Sequence, residues 1–166
     1  MLGNTNVYSL LRASNIPFCI HSTELSDNEM ARSISNRTLP FPIHASLKTL
    51  AFVDTERPTE AIYLIAMPIS DRLNVAALAQ RLGISRKTLA LASPATLHRF
   101  TGWLPGVVAP VSLSPGCLIF FDACIADLDI VFCGCGIVNS IMEIAARDLL
   151  NLPRANVAKL AQRNVS

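Results

Sequence analysis

Apolar and polar positions along this chain fall into short blocks that switch repeatedly between helical and strand spacing. Residues 7–13 have the helical period, and Asn15 marks a stop. Residues 17–21 alternate as a strand. Ser26-Asp27-Asn28-Glu29 has the Ser-x-x-Glu form of a capping box, which predicts a helix to about Ser35. Pro40 and Pro42 make residues 38–45 a loop. Two apolar strands, 47–53 and 61–67, then flank a charged turn over 54–60, the pattern of a hairpin. Asn74 caps a helix that Gly83 terminates. A short strand follows at 88–92. Ser93-Pro94 supplies a capping hydroxyl and a helix-starting proline, and Gly102 closes that helix. Buried strands are expected at 117–123, 130–133 and 142–144, then a helix at 148–152. Residues 153–166 read as a polar tail or a terminal helix. Hairpin-linked strands with helices at intervals predict an α+β domain around a largely antiparallel sheet.

Composition sharpens this picture. The chain has 166 residues, 51% of them hydrophobic and only 16% charged, which fits a single domain (1–166) with a real core rather than disorder. A net charge of +2 argues against a protein that coats nucleic acid through a global field, so any nucleic-acid contact has to be local. The mean hydropathy of +0.42 raises the question of a membrane span. The uncharged run 101–121 is long enough, but three prolines and three glycines interrupt it, so a loop leading into a buried strand is expected. No secretory signal is visible at the N-terminus. Five cysteines within apolar segments read as reduced core residues of a cytoplasmic protein.

Lys48 is the first candidate for chemistry. In a strand it shares a face with Leu50 and Phe52, while Leu47, Thr49, Ala51 and Val53 take the other. Both faces are mostly apolar, so the strand should be central, and a lysine there needs a partner or a ligand. The alternative is that it lies at the strand's start and snorkels to water. The loop Thr101-Gly102-Trp103-Leu104-Pro105-Gly106 can present backbone N–H groups to a carbonyl or phosphate, or be only a helix cap and turn. Gly134-Cys135-Gly136 lacks the third glycine of a dinucleotide fingerprint, since Asn139 stands there, and reads as a tight turn with backbone able to face a ligand. Cys133 and Cys135 form an isolated C-x-C pair, too little for a metal site. His21 can face a pocket or be structural; Asp122 and Asp148 are equally open, Asp148 most simply as support for a helix start. No Ser-His-Asp spacing stands out.

Taken in order, these pieces resemble the YbaK and prolyl-tRNA-editing (ProX-like) superfamily of aminoacyl-tRNA deacylases. The residues that carry the resemblance are Ile16-Pro17-Phe18 with His21, Leu47-Lys48-Thr49-Leu50, Ser70-Asp71-Arg72-Leu73-Asn74, Leu82-Gly83, Leu91-Ala92-Ser93-Pro94, the 101–106 loop with Pro110, Asp122, Gly134-Cys135-Gly136 and Asp148-Leu149-Leu150. Their order and spacing cover about residues 7–152. The resemblance implies a curved, partly barrel-like sheet with flanking helices. It implies hydrolysis of the ester between a wrongly attached small amino acid and the 3′ end of a tRNA, such as tRNA-Pro, with no metal or organic cofactor. Lys48, Gly102 and Gly106 become the catalytic candidates. His21, Thr23, Thr49, Trp103, Pro105, Gly134 and Gly136 become substrate-binding candidates. Partners would be the aminoacylated tRNA end and a synthetase, prolyl-tRNA synthetase among them, with no membrane.

Three positions depart from the resemblance. Ile141 falls where the cysteinyl-specific type is acidic, Thr23 where that type has a tyrosine, and Asn139 replaces a glycine common in relatives. They argue against cysteinyl specificity and keep two other readings open. One is a module that binds tRNA ends or a nucleotide without hydrolysis; the other is a subunit that docks a synthetase.

Overall fold

The computed structural model describes residues 6–23 and 40–163. Among them are four α-helices and ten strands. The helix expected at 26–35 lies outside the described residues.

Helix α1 (Val7–Ala13) starts at Asn6, whose side chain accepts the Ser9 N–H, and it buries Val7 and Leu11. Strand β1 (Phe18–Ser22) follows. The expected hairpin is present as β2 (Leu47–Asp54) and β3 (Ile62–Pro68), paired antiparallel from Leu47 opposite Pro68 to Phe52 opposite Tyr63. After the short β4 (Arg72–Leu73), α2 (Val75–Leu82) opens on the Asn74 side chain and closes on Gly83 at φ 68°. Strand β5 (Leu89–Leu91) precedes α3 (Pro94–Thr101), capped by Ser93 and closed by Gly102 at φ 75°. Then come β6 (Cys117–Asp122), β7 (Ile130–Gly134) and β8 (Ser140–Ala145).

The last helix, α4 (Ala146–Leu150), begins two residues earlier than its pattern suggested, with Asp148 in its first turn where a carboxylate favours a helix start. The stretch from 153 is neither a polar tail nor a helix over its described part. It forms β9 (Ala155–Ala158) and β10 (Ala161–Gln162). The physical reason is tertiary. β9 runs parallel to β6, and the Asp122 carboxylate accepts the backbone N–H groups of Leu160 at 2.8 Å and Ala161 at 2.6 Å. A weakly apolar segment is thus ordered by partners far away in sequence.

The strands form open sheets in the orders β5-β2-β3-β6-β9, β1-β8-β7 and β10-β4, with parallel ladders at β3-β6 and β6-β9. β2 is central, as its two apolar faces require. Leu47 and Val53 pack in one core with Leu64, Phe121, Leu97 of α3 and Leu149 of α4. Phe52 packs in a second core with Ile65, Phe120 and Leu78 of α2. A parallel bridge between Ser46 and Phe132 links the start of β2 to β7, continuing the large sheet into the small one. The result is the α+β architecture, largely antiparallel, that the alternating blocks predict. Among the described residues, no helix is long and apolar enough to cross a membrane.

Candidate functional site

Strand parity decides which side chains meet, because residues paired across a sheet share a face. Glu143 of β8 pairs with Phe132 of β7 and with Cys19 of β1, and His21 lies two residues beyond Cys19. These side chains therefore share one face of the small sheet. The contacts agree: His21 Nε2 is 2.6 Å from Glu143 Oε2, and the rings of His21 and Phe132 are 6.3 Å apart. Phe41 closes the cluster, stacked on Phe132 at 4.9 Å and tilted against His21 at 5.5 Å. Ser46 shares this face through its bridge to Phe132, and by strand parity so does Lys48 two residues on.

Lys48 is half-buried, and its ammonium donates to the backbone oxygen of Asp71 at 2.5 Å, in the turn before β4. Burial pushes this ammonium below the usual lysine range, the Asp71 carboxylate works against that, and the Arg72 guanidinium adds to the lowering. The lysine is thus neither a free surface group nor an unpaired buried charge. It is held at the rim of an apolar strand with two of its three donors uncommitted to Asp71.

The glycine-containing segments meet one another. Gly136 N–H donates to Val107 O at 2.7 Å. A Cβ at Gly134 would strike the backbone of Val107 and Val108, and one at Gly136 (φ 82°) would strike the Trp103 indole. Gly136 therefore lies against Trp103 and Gly134 against Val107 and Val108, with Trp103 buried and Pro105 exposed. Gly102 and Gly106 have open space where a Cβ would stand, so their need for glycine is the positive φ of 75° and 89°. Thr23 is buried, and its N–H donates to Asn139 O at 2.7 Å. Asn139 has φ 55°, a left-handed conformation that asparagine tolerates. Two of the three departing positions thus meet each other. The third, Ile141, pairs with both His21 and Gly134 on the site face.

Thr49 is not on that face. It points with Leu47 and Ala51 toward the first core, and its Oγ1 is buried with no hydrogen-bond partner among the described residues. Asp122 serves the fold. Burial raises its carboxyl, but bonds from the Cys124, Leu160 and Ala161 N–H groups outweigh that and hold it below the usual carboxylate range. Burial pushes the Cys117 thiol up to about 11 and the Cys124 thiol up to about 12, so neither is poised as a thiolate. Among the described residues no group of three or more His, Cys, Asp or Glu is arranged to hold a metal ion. A separate groove of about 220 Å³, lined by Leu10, Leu113, Leu152 and Arg154, contains none of the residues that the sequence singles out. Phe41, Phe132 and Glu143 were not legible as site residues. Glu143 is a lone acid in the apolar run 141–145, and that is the signal that would have found it.

Comparison with known proteins agrees with this fold. The chain resembles the solved structure of hypothetical protein APE2540, with a TM-score of 0.77 and 22% identity over 94% of this chain and 99% of that one. It resembles a protein provisionally described as a trans-editing enzyme for prolyl tRNA synthetase, with a TM-score of 0.72 and 20% identity over 94% of each chain. A third likeness, at TM-score 0.61 and 17% identity, covers 93% of this chain but 30% of a longer protein from Marinobacter aquaeolei VT8, provisionally described as acting in signal transduction. These likenesses establish the fold. No match was found among curated proteins. The model of the aminoacyl-tRNA editing domain matches residues 29–152, and the chain belongs to that family.

Proposed function

We propose that this protein is a cytoplasmic deacylase acting in trans on mischarged aminoacyl-tRNA. Its substrate would carry a small amino acid, on tRNA-Pro or a similar tRNA, and it would work alongside a synthetase such as prolyl-tRNA synthetase. The observation that carries the reading is Lys48, a partly desolvated ammonium on a central strand, bonded to a carbonyl oxygen rather than to a carboxylate.

Hydrolysis adds water across the ester, releasing the free amino acid and the 3′ hydroxyl of the tRNA. An ester is already activated, so orienting it and stabilising the charge that develops on its carbonyl oxygen supply much of the acceleration. In this reading Lys48 binds and orients the substrate as a point charge near its phosphate or ester oxygens. The loop 102–106 brings backbone near the ester, Trp103 and Gly134–Gly136 shape the wall behind it, and His21 and Thr23 border the amino-acid side. Thr49 contributes to the strand and not to the substrate. The described bond of His21 goes to Glu143 and not to a serine or cysteine, which supports a mechanism of positioning over one with a protein nucleophile.

Incubating the purified protein with a panel of mischarged tRNAs tests the proposal. Release of a small amino acid from at least one of them is expected. Stable recovery of intact aminoacyl-tRNA bound to the protein would support a binding module instead.

A further inference from the structure

The His21–Glu143 pair is more than a tie between strands. β1 and β8 are already joined by five register pairs, Phe18 opposite Ile144 through Ser22 opposite Ser140. The two side chains are 40% and 34% exposed, and an ion pair that open adds about 0–1 kcal/mol to stability. Stability therefore gives little reason for an acid in the middle of an otherwise apolar strand stretch.

What the pair does accomplish is to fix a ring. An ionised carboxylate can only accept, so the 2.6 Å contact requires the proton of the imidazole to sit on Nε2. Phe41 and Phe132 pack against the same ring at interplanar angles of 55° and 47°, so its plane is set by two phenyl groups and its rotation by the carboxylate. A flip that exchanged the two nitrogens would break the bond to Glu143. Among the described residues Nδ1 has no hydrogen-bond partner, and it belongs to a half-exposed side chain on the face that also carries Lys48.

We propose that Glu143 is a positioning residue: it locks His21 in the Nε2–H tautomer so that Nδ1 accepts a hydrogen bond from a donor on the aminoacyl end of the substrate. That donor is the α-ammonium or a hydroxyl of the terminal ribose. The inference rests on the deacylase reading, but its first test does not. Nitrogen-resolved NMR of the imidazole at pH 8 should find His21 with a proton on Nε2 and none on Nδ1 in the wild-type protein, and a mixture of tautomers in Glu143→Ala. A wild-type ring protonated on Nδ1 overturns the proposal whether or not any ester is cleaved.

The second test uses the reaction. Glu143→Ala should lower kcat/KM about tenfold, and Glu143→Asp should restore part of it. The double variant with His21→Ala should be no slower than His21→Ala alone, because the two residues act as a unit. If the donor is the α-ammonium, the penalty disappears on an acyl-tRNA that lacks the α-amino group. If it is a ribose hydroxyl, the penalty persists there and disappears on a terminal 2′-deoxy substrate. A Glu143→Ala penalty unaltered by both modifications, or no penalty at all on a substrate the wild type cleaves, overturns the proposal.

Discussion

Lys48 and Asp71 are joined by a bond from the ammonium to the backbone oxygen, which ties the start of β2 to the turn entering β4. Because burial lowers the lysine's proton affinity in the folded protein, the unfolded chain holds that proton more tightly. Between the folded value and the unfolded value of about 10.4, stability should therefore rise with pH from this residue. Lys48→Met removes the dependence. Denaturant titrations of both proteins should converge or diverge with pH accordingly: relative to the variant, the wild type gains stability as pH climbs toward that upper value. Parallel curves would contradict the assignment of a desolvated ammonium.

Gly134 and Gly106 separate two uses of glycine. Gly134→Ala forces a Cβ into the Val107–Val108 backbone and should cost about 2 kcal/mol or more, because backbone cannot step aside as a side-chain tip can. Gly106→Ala meets open space and should cost only about 1 kcal/mol for the left-handed backbone. Thermal or chemical denaturation of the two variants checks the ranking, and equal losses would contradict the packed joint between the loop and β7.

Much of this architecture can be read from the chain, and the exceptions have physical reasons. The hairpin of β2 and β3, the caps at Asn74 and Ser93 and the stops at Gly83 and Gly102 are local signals, and each lies where its chemistry places it. The two apolar faces of β2 correctly put Lys48 on a central strand. β9 and β10 were illegible because their order comes from β6 and Asp122, more than thirty residues away. The site face was only half legible for a similar reason. Parity within one strand separates Lys48 from Thr49, but it takes the register between β1, β8 and β7 to bring Glu143 to His21.

Thr49 offers a sharp contrast with Lys48, its neighbour. Its buried hydroxyl has no partner among the described residues, so Thr49→Val removes an unsatisfied polar group and should leave stability unchanged or raise it by up to about 1 kcal/mol. Deacylation should persist, since the residue faces the core. A large loss of activity with unchanged stability would instead return Thr49 to the substrate site.

Asp122 should act through the fold. Its carboxyl lies below the usual range when folded, so the stabilisation it gives is complete above the unfolded value of about 3.9 and is lost as pH falls through the folded value. Asp122→Ala leaves the Leu160 and Ala161 N–H groups without their acceptor and should cost about 2–3 kcal/mol. Hydrogen exchange at those two amides should speed up first. Unchanged protection there would show that β10 is held by something else.

The most direct test of the central claim is the deacylation rate of wild-type protein and Lys48→Ala on the same mischarged small-aminoacyl tRNA. Loss of a group that orients the ester and its developing charge should slow the wild-type reaction about a hundredfold or more. A Lys48→Ala variant that keeps full activity, or a wild-type protein that releases no amino acid from any mischarged tRNA, would contradict it.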